Sequence, residues 1–129
     1  DFAACQLALK AKPMGRVFLV TDAMPPVGTN DTEFAFFDRT VTLDNGKLTS
    51  TTGELAGSAL DMATAVRNTV THLKQPLAQA LNMASLYPAQ YLQLPATHGR
   101  LIPGSPADFV QLNTQQQVIS TWIGGAQVC

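Results

Sequence analysis

How this chain folds is decided by one stretch, Val17-Phe18-Leu19-Val20-Thr21-Asp22-Ala23-Met24-Pro25-Pro26. It begins with four consecutive apolar residues, a pattern typical of a strand buried on both faces, as in parallel α/β sheets. The two prolines stop any regular element at its far end. Asp22 therefore comes where a buried strand gives way to a loop, which is where barrel enzymes place their active sites.

Asp22 is the main candidate for chemistry. A carboxylate at that edge can serve as a general base. The alternative, from position alone, is a turn aspartate that hydrogen-bonds its own backbone.

A second candidate site precedes a predicted helix. Leu55, Ala56 and Gly57 lead to Ser58, a good N-cap for a helix from about Ala59 to Leu73. The free N–H groups of a helix N-terminus can hold a polar ligand. A plain loop-to-helix junction is the alternative.

The rest of the chain alternates between helical and β patterns. A helix is predicted over Ala3–Lys12, and Pro76 and Pro88 open two more after the central one. Strands are predicted at Phe34–Phe37, Thr40–Leu43, Lys47–Ser50, Ala107–Leu112 and Val118–Ile123, with turns at Asn45-Gly46 and Gly124-Gly125. Asn-Gly between alternating strands is a strong hairpin signal.

Composition excludes several classes of protein. Hydrophobic residues make up 46% and charged residues 13% of the 129 residues, and the formal net charge is −1. These values argue against intrinsic disorder and against a basic nucleic-acid binder. No apolar run approaches the roughly 18 residues of a membrane-spanning helix, so we expect no membrane partner.

Charge is especially sparse near the C-terminus, where Arg100 and Asp108 are the only charged residues after position 74. This pattern fits either a glutamine-rich surface or a surface covered by something outside the chain.

The histidines and cysteines predict no metal site. His72 and His98 fall in no spacing that builds a zinc site. Cys5 and Cys129 lie at opposite ends and make no disulfide framework, which favours a reducing, cytoplasmic setting.

One buried strand of the parallel type cannot stand alone, because it needs neighbours for its hydrogen bonds on both sides. The chain has no second run of this kind, and its two antiparallel groups could pair with each other as one small sheet or sandwich. We therefore expect it to be the tail of a longer protein.

Three motifs carry a resemblance to a known family. They are Leu19–Gly28, then Leu55–Leu60 with Ala65–Asn68, and then Ala84–Ala89 with Gly104–Phe109. In order and spacing they resemble the C-terminal third of N-acetylglucosamine-6-phosphate deacetylases, which are metal-dependent amidohydrolases. The first two motifs are fairly specific to these deacetylases, and the last is shared across amidohydrolases. The resemblance covers essentially the whole chain.

The resemblance implies an α/β fold, namely the C-terminal portion of a metal-dependent hydrolase (β/α)8 TIM barrel plus part of a small β-sandwich. On that template, residues 1–30 hold the end of the last barrel helix, the last strand (Val17–Thr21) and the active-site loop. Residues 31–54 form a β-meander excursion, 55–98 the closing barrel helices, and 99–129 the C-terminal part of the sandwich.

The resemblance also implies a reaction, the conversion of N-acetylglucosamine 6-phosphate to glucosamine 6-phosphate and acetate. A divalent metal, zinc or iron, polarises the acetamide and activates a water. Asp22 matches the aspartate that takes the water's proton and returns it to the leaving amine. The backbone matching Leu55, Ala56 and Gly57 contacts the phosphosugar substrate.

The same template places other parts of the site outside this chain. The metal ligands (a Glu and two His), a substrate-binding His and the phosphate-binding residues fall upstream of Asp1. We therefore expect the chain alone to be inactive and the N-terminal remainder of the enzyme to be its partner. We expect the complete enzyme to be a homo-oligomer.

Two alternatives remain open at this point. The chain could belong to another metal-dependent amidohydrolase, for example one acting on a cyclic amide, although the Leu-Ala-Gly-Ser motif argues against it. It could also be a non-catalytic, self-standing β-rich binding module.

Overall fold

The computed structural model describes residues 1–44 and 46–129. Its elements combine helices and sheets, as the motifs predicted. In chain order they are α1 (Phe2–Ala11), β1 (Glu33–Phe36), β2 (Arg39–Asp44), β3 (Lys47–Ser50), β4 (Leu55–Ser58), α2 (Met62–Thr71), α3 (Leu77–Ala84), α4 (Leu86–Tyr91), β5 (Phe109–Leu112), β6 (Val118–Ile123) and β7 (Ala126–Gln127). The chain divides into two compact units, residues 20–62 (the meander unit) and residues 1–19 with 63–129 (the helical unit).

The meander unit is built on a four-stranded antiparallel sheet in the order β1-β2-β3-β4. The pairing puts Val41 opposite Ser50 and Leu43 opposite Leu48, so these side chains share one face of the sheet. Val41 and Leu48 are completely buried. The buried Ser50 hydroxyl is satisfied by the Thr52 hydroxyl at 2.7 Å. This face is the unit's core.

The three predicted strands of the meander are confirmed, and the sheet contains one further strand. Asn45, half of the predicted Asn-Gly turn, lies outside the described residues, and the strands on either side of it pair as expected. Leu55–Ser58 forms a fourth strand, where the sequence indicated a loop-to-helix junction. Because Ser58 is part of this strand, it is not the predicted helix N-cap; its hydroxyl accepts the Leu60 N–H at 3.0 Å. The helix that follows starts at Met62 rather than at Ala59.

The helical unit has its buried apolar residues on α2, α3 and α4. They are Ala65, Val66, Ala80, Met83, Tyr87 and Ala89. Two buried hydroxyls are satisfied there, since Thr69 Oγ1 donates to the Ala65 carbonyl and Tyr87 donates to Gln79. Pro88 falls in the first turn of α4 instead of opening it, and a proline is tolerated in a first helical turn.

The last strands form a separate antiparallel sheet in the order β5-β6-β7. The predicted hairpin is confirmed, and Phe109 stacks on Trp122 across it with ring centroids 5.5 Å apart. The β5–β6 turn is tied to α2 by Arg67, which donates to the Gln116 carbonyl at 2.9 Å. Several aliphatic residues of this sheet remain exposed, among them Val110, Val118, Ile119 and Ile123.

The predicted buried strand at Val17–Val20 is not formed among the described residues. A parallel strand exists only through hydrogen bonds to its neighbours, and the chain supplies no such neighbour. Instead the Leu19 N–H donates to the Met83 carbonyl at 2.9 Å, and Val20 is 69% exposed. The barrel strand and the sandwich stay predictions from the resemblance.

A search for membrane spans covered the described residues, and none of their helices has both the length and the apolar character needed to cross a bilayer.

We expect Leu48→Ala to destabilise the meander unit by about 2–5 kcal/mol, because truncating a fully buried leucine leaves a cavity. Hydrogen–deuterium exchange of peptides from β2 and β3 should speed up accordingly. Phe37→Ala is the matched control, since Phe37 is 93% exposed in the same unit. Equal acceleration in both variants would show that burial at Leu48 does not hold this sheet together.

Candidate active site

The two predicted sites meet in the meander unit. A parallel bridge joins Ala23 to Ser58, the last residue of β4. The Ser58 N–H donates to the Asp22 carbonyl at 3.3 Å, and the Ser58 carbonyl accepts the Met24 N–H at 3.0 Å. Through these two hydrogen bonds of Ser58, the loop that carries Asp22 is joined to the strand that carries Leu55, Ala56 and Gly57.

Asp22 adopts an uncommon backbone conformation, with a φ of +52°. Non-glycine residues rarely enter this left-handed region, although aspartate tolerates it better than most. The turn is closed by Thr21, whose Oγ1 accepts the Ala23 N–H at 3.3 Å. A turn aspartate at this position would accept the Met24 N–H, but that N–H donates to the Ser58 carbonyl instead.

The Asp22 carboxylate is exposed. Within the part of the chain that the structure describes, it makes no hydrogen bond or ion pair. Among the described residues, Asp22 therefore does not make the side-chain hydrogen bond of a turn aspartate.

Gly57 is a position that only glycine fits. Its φ is +112°, and a Cβ placed there would lie 2.5 Å from Met24 Cγ and 3.1 Å from Met24 Sδ. The Met24 side chain therefore occupies the space that a side chain at position 57 would need. Sequence reasoning singled out Gly57 but not Met24, although both fall inside the motifs that carry the resemblance.

The segment Leu55–Gly57 lies at the edge of its sheet, since β4 ends the strand order. Leu55 is exposed, and Ala56 is half-buried. An edge strand presents backbone N–H and C=O groups that no neighbouring strand uses. Such groups can hydrogen-bond a polar ligand, which is the role predicted for this segment.

The two histidines have local partners. His72 stacks on Phe2 with ring centroids 4.3 Å apart, and His98 Nδ1 shares a hydrogen bond with Thr97 Oγ1 at 2.8 Å. Cys5 and Cys129 are both free and exposed. Across residues 1–44 and 46–129, no group of three or more His, Cys, Asp or Glu side chains could hold a metal ion. The residues described here do not fit the divalent metal that the resemblance implies.

The family model named Amidohydrolase family matches residues 3–128. The chain belongs to the amidohydrolase family. Among curated relatives, this amidohydrolase chain is 44% identical over 118 residues to the N-acetylgalactosamine-6-phosphate deacetylase of Shewanella sp. (strain ANA-3), covering 92% of the chain and 30% of the relative. It is 37% identical over 127 residues to the N-acetylglucosamine-6-phosphate deacetylase of Bos taurus, covering 98% of the chain and 31% of the relative.

A solved structure agrees with these relatives. The N-acetylglucosamine-6-phosphate deacetylase from Pasteurella multocida superposes with a TM-score of 0.91 at 28% identity, over 98% of this chain and 33% of that one. The predicted resemblance to deacetylases of this kind is confirmed. The amidohydrolase chain spans about a third of the length of the relatives it matches.

We expect Gly57→Ala to loosen the bridge between Ala23 and Ser58. A left-handed alanine costs about 1–2 kcal/mol, and overpacking against Met24 adds about 1–3 kcal/mol. The free energy of unfolding, measured by denaturant titration of the intact protein, reports both.

The control for this variant is Gly28→Ala, because Gly28 has a φ of +86° with nothing within 4 Å of an added Cβ. Its free energy of unfolding should fall only by the cost of placing an alanine in the left-handed conformation. Adding Met24→Ala to Gly57→Ala should recover part of the loss, and strictly additive effects would contradict the contact.

Proposed function

We propose that this amidohydrolase chain is part of an enzyme that hydrolyses N-acetylglucosamine 6-phosphate to glucosamine 6-phosphate and acetate. The observation that carries the proposal is the bridge that brings Asp22 beside the strand of Leu55, Ala56 and Gly57. The names of the relatives support the substrate class, a 6-phosphorylated N-acetyl amino sugar.

In this proposal Asp22 is the general base and then the general acid. Its carboxylate takes a proton from the water that attacks the acetyl carbon, and a C–O bond forms. It then returns the proton to the nitrogen as the C–N bond breaks, so that the sugar leaves as an amine. An exposed carboxylate without an internal partner is able to make both transfers.

The segment Leu55–Gly57 would hold the substrate through its backbone. A polar sugar needs donors and acceptors in fixed positions, and an edge strand provides them without flexible side chains. Met24 keeps Gly57 in place by filling the space beside it. The bridge between Ala23 and Ser58 would thus align the substrate with the Asp22 carboxylate.

The remaining parts of the site are assigned to the rest of the enzyme. Since the described residues do not fit a metal ion, the zinc or iron implied by the resemblance needs ligands from outside this chain. The same holds for the phosphate-binding residues. We therefore propose that the chain by itself is inactive, that its partner is the remainder of the enzyme, and that the complete enzyme is a homo-oligomer in the cytoplasm.

N-acetylgalactosamine 6-phosphate is a second candidate substrate. The relative that is 44% identical is named an N-acetylgalactosamine-6-phosphate deacetylase. The bovine N-acetylglucosamine-6-phosphate deacetylase is 37% identical. The two sugars differ only in the configuration of one ring hydroxyl, and the acetamide chemistry is the same. The family assignment supports either of these over a non-catalytic module.

We expect Asp22→Asn in the complete enzyme to lower kcat by about 10²–10⁴-fold, because the amide cannot accept and return the proton. Steady-state assays of acetate release measure the loss. Asp31→Asn, another exposed aspartate of the meander unit, should leave kcat unchanged. Near-normal turnover by Asp22→Asn would remove Asp22 from the mechanism.

We expect the complete enzyme to release acetate from at least one of the two phosphosugars and the 129-residue chain to release none from either. The ratio of kcat/KM for the two substrates decides between the candidates. If the complete enzyme released acetate from neither sugar but hydrolysed a cyclic amide, the proposed function would be wrong and the protein would be another kind of amidohydrolase.

A further inference from the structure

The Thr21 hydroxyl lies beside Asp22, a residue whose backbone conformation is energetically costly. Asp22 has a φ of +52°, where the Cβ of an L-residue crowds the backbone. Unusual backbone conformations persist only when their surroundings hold them, and they are frequent at active sites. Whatever holds Asp22 in this region also sets the direction of its carboxylate.

Two kinds of contact hold the turn. On one side, the backbone of Ser58 bonds the Asp22 carbonyl and the Met24 N–H. On the other side, Thr21 Oγ1 accepts the Ala23 N–H at 3.3 Å. The Thr21 contact spans Asp22 itself, because donor and acceptor belong to the residues on either side of it.

The Thr21 bond opposes relaxation of the turn. If Asp22 returned to an extended conformation, the peptide that follows it would rotate and the Ala23 N–H would leave Oγ1. The bond therefore favours the left-handed state over the extended one. Thr21 is half-buried, whereas Asp22 is exposed, so the restraint is anchored on the better-packed residue.

We propose that Thr21 is a positioning residue, whose hydroxyl keeps Asp22 in the left-handed conformation that aims its carboxylate at the reacting amide. This inference rests on the proposed function of Asp22. Thr21 itself transfers no proton, and its effect is on the fraction of enzyme in which the carboxylate is correctly placed.

The test uses two substitutions in the complete enzyme. Thr21→Val keeps the branched shape but removes the acceptor, so kcat should fall, by at most the three- to tenfold that one neutral hydrogen bond is worth (about 0.5–1.5 kcal/mol). KM should be unchanged, since the substrate contacts lie on β4. Thr21→Ser restores an acceptor oxygen at the same place and should return kcat to near the wild-type value.

A matched control is available in the same unit. Thr29 Oγ1 accepts the Asp31 N–H at 3.0 Å, the same contact between residues two apart. Thr29→Val removes that bond and also the one that the Thr29 hydroxyl donates to the Pro26 carbonyl at 3.1 Å. It should leave kcat unchanged even where the melting temperature falls as far as in Thr21→Val or further.

Three results would overturn the assignment of Thr21. They are wild-type kcat in Thr21→Val, equal losses of kcat in Thr21→Ser and Thr21→Val, and an equal loss of kcat in Thr29→Val. Any of these could occur while Asp22→Asn is still inactive, which would leave the proposed function standing. Full activity of Asp22→Asn would instead remove the proposed role of Asp22 and the role of Thr21 together.

Discussion

The parallel bridge between Ala23 and Ser58 is the contact on which the candidate site depends. It is short, with two backbone hydrogen bonds, yet it joins segments more than thirty residues apart in sequence. Closing so long a loop costs entropy that two hydrogen bonds would not offset alone. The four-stranded sheet supplies the rest, because β4 pairs with β3, whose Leu48 lies with Val41 on the buried face. Packing in the meander thus places the candidate site at its edge.

Patterns that depend on neighbours in sequence predicted most of the fold. The meander, the hairpin and the helices follow from local periodicity and turn residues, and their ends moved by only a few positions. The strand expected at Val17–Val20 did not form, because its stability depends on partners that no local pattern can supply. β4 also depends on a partner strand, but here the partner is present and the strand was missed. Its small residues look like a loop, and only pairing with β3 makes it a strand.

The same distinction applies to the candidate site. Asp22 and Gly57 could be singled out because their motifs resemble a family, and residue type alone left both uncertain. The contact of Met24 with Gly57 and the bond from Ala23 to Thr21 could not be predicted, because each depends on a backbone angle. A left-handed φ at an aspartate leaves no mark in the sequence.

The exposed aliphatic side chains of the β5-β6-β7 sheet have a practical consequence for handling this polypeptide. Val110, Val118, Ile119 and Ile123 are each about half exposed on a sheet whose outer strands have open edges. Surfaces of this kind attract identical strands from other molecules. The scarcity of charge after position 74 removes the repulsion that would keep copies apart. Produced on its own, the polypeptide would therefore be prone to aggregation, and increasingly so as its concentration rises.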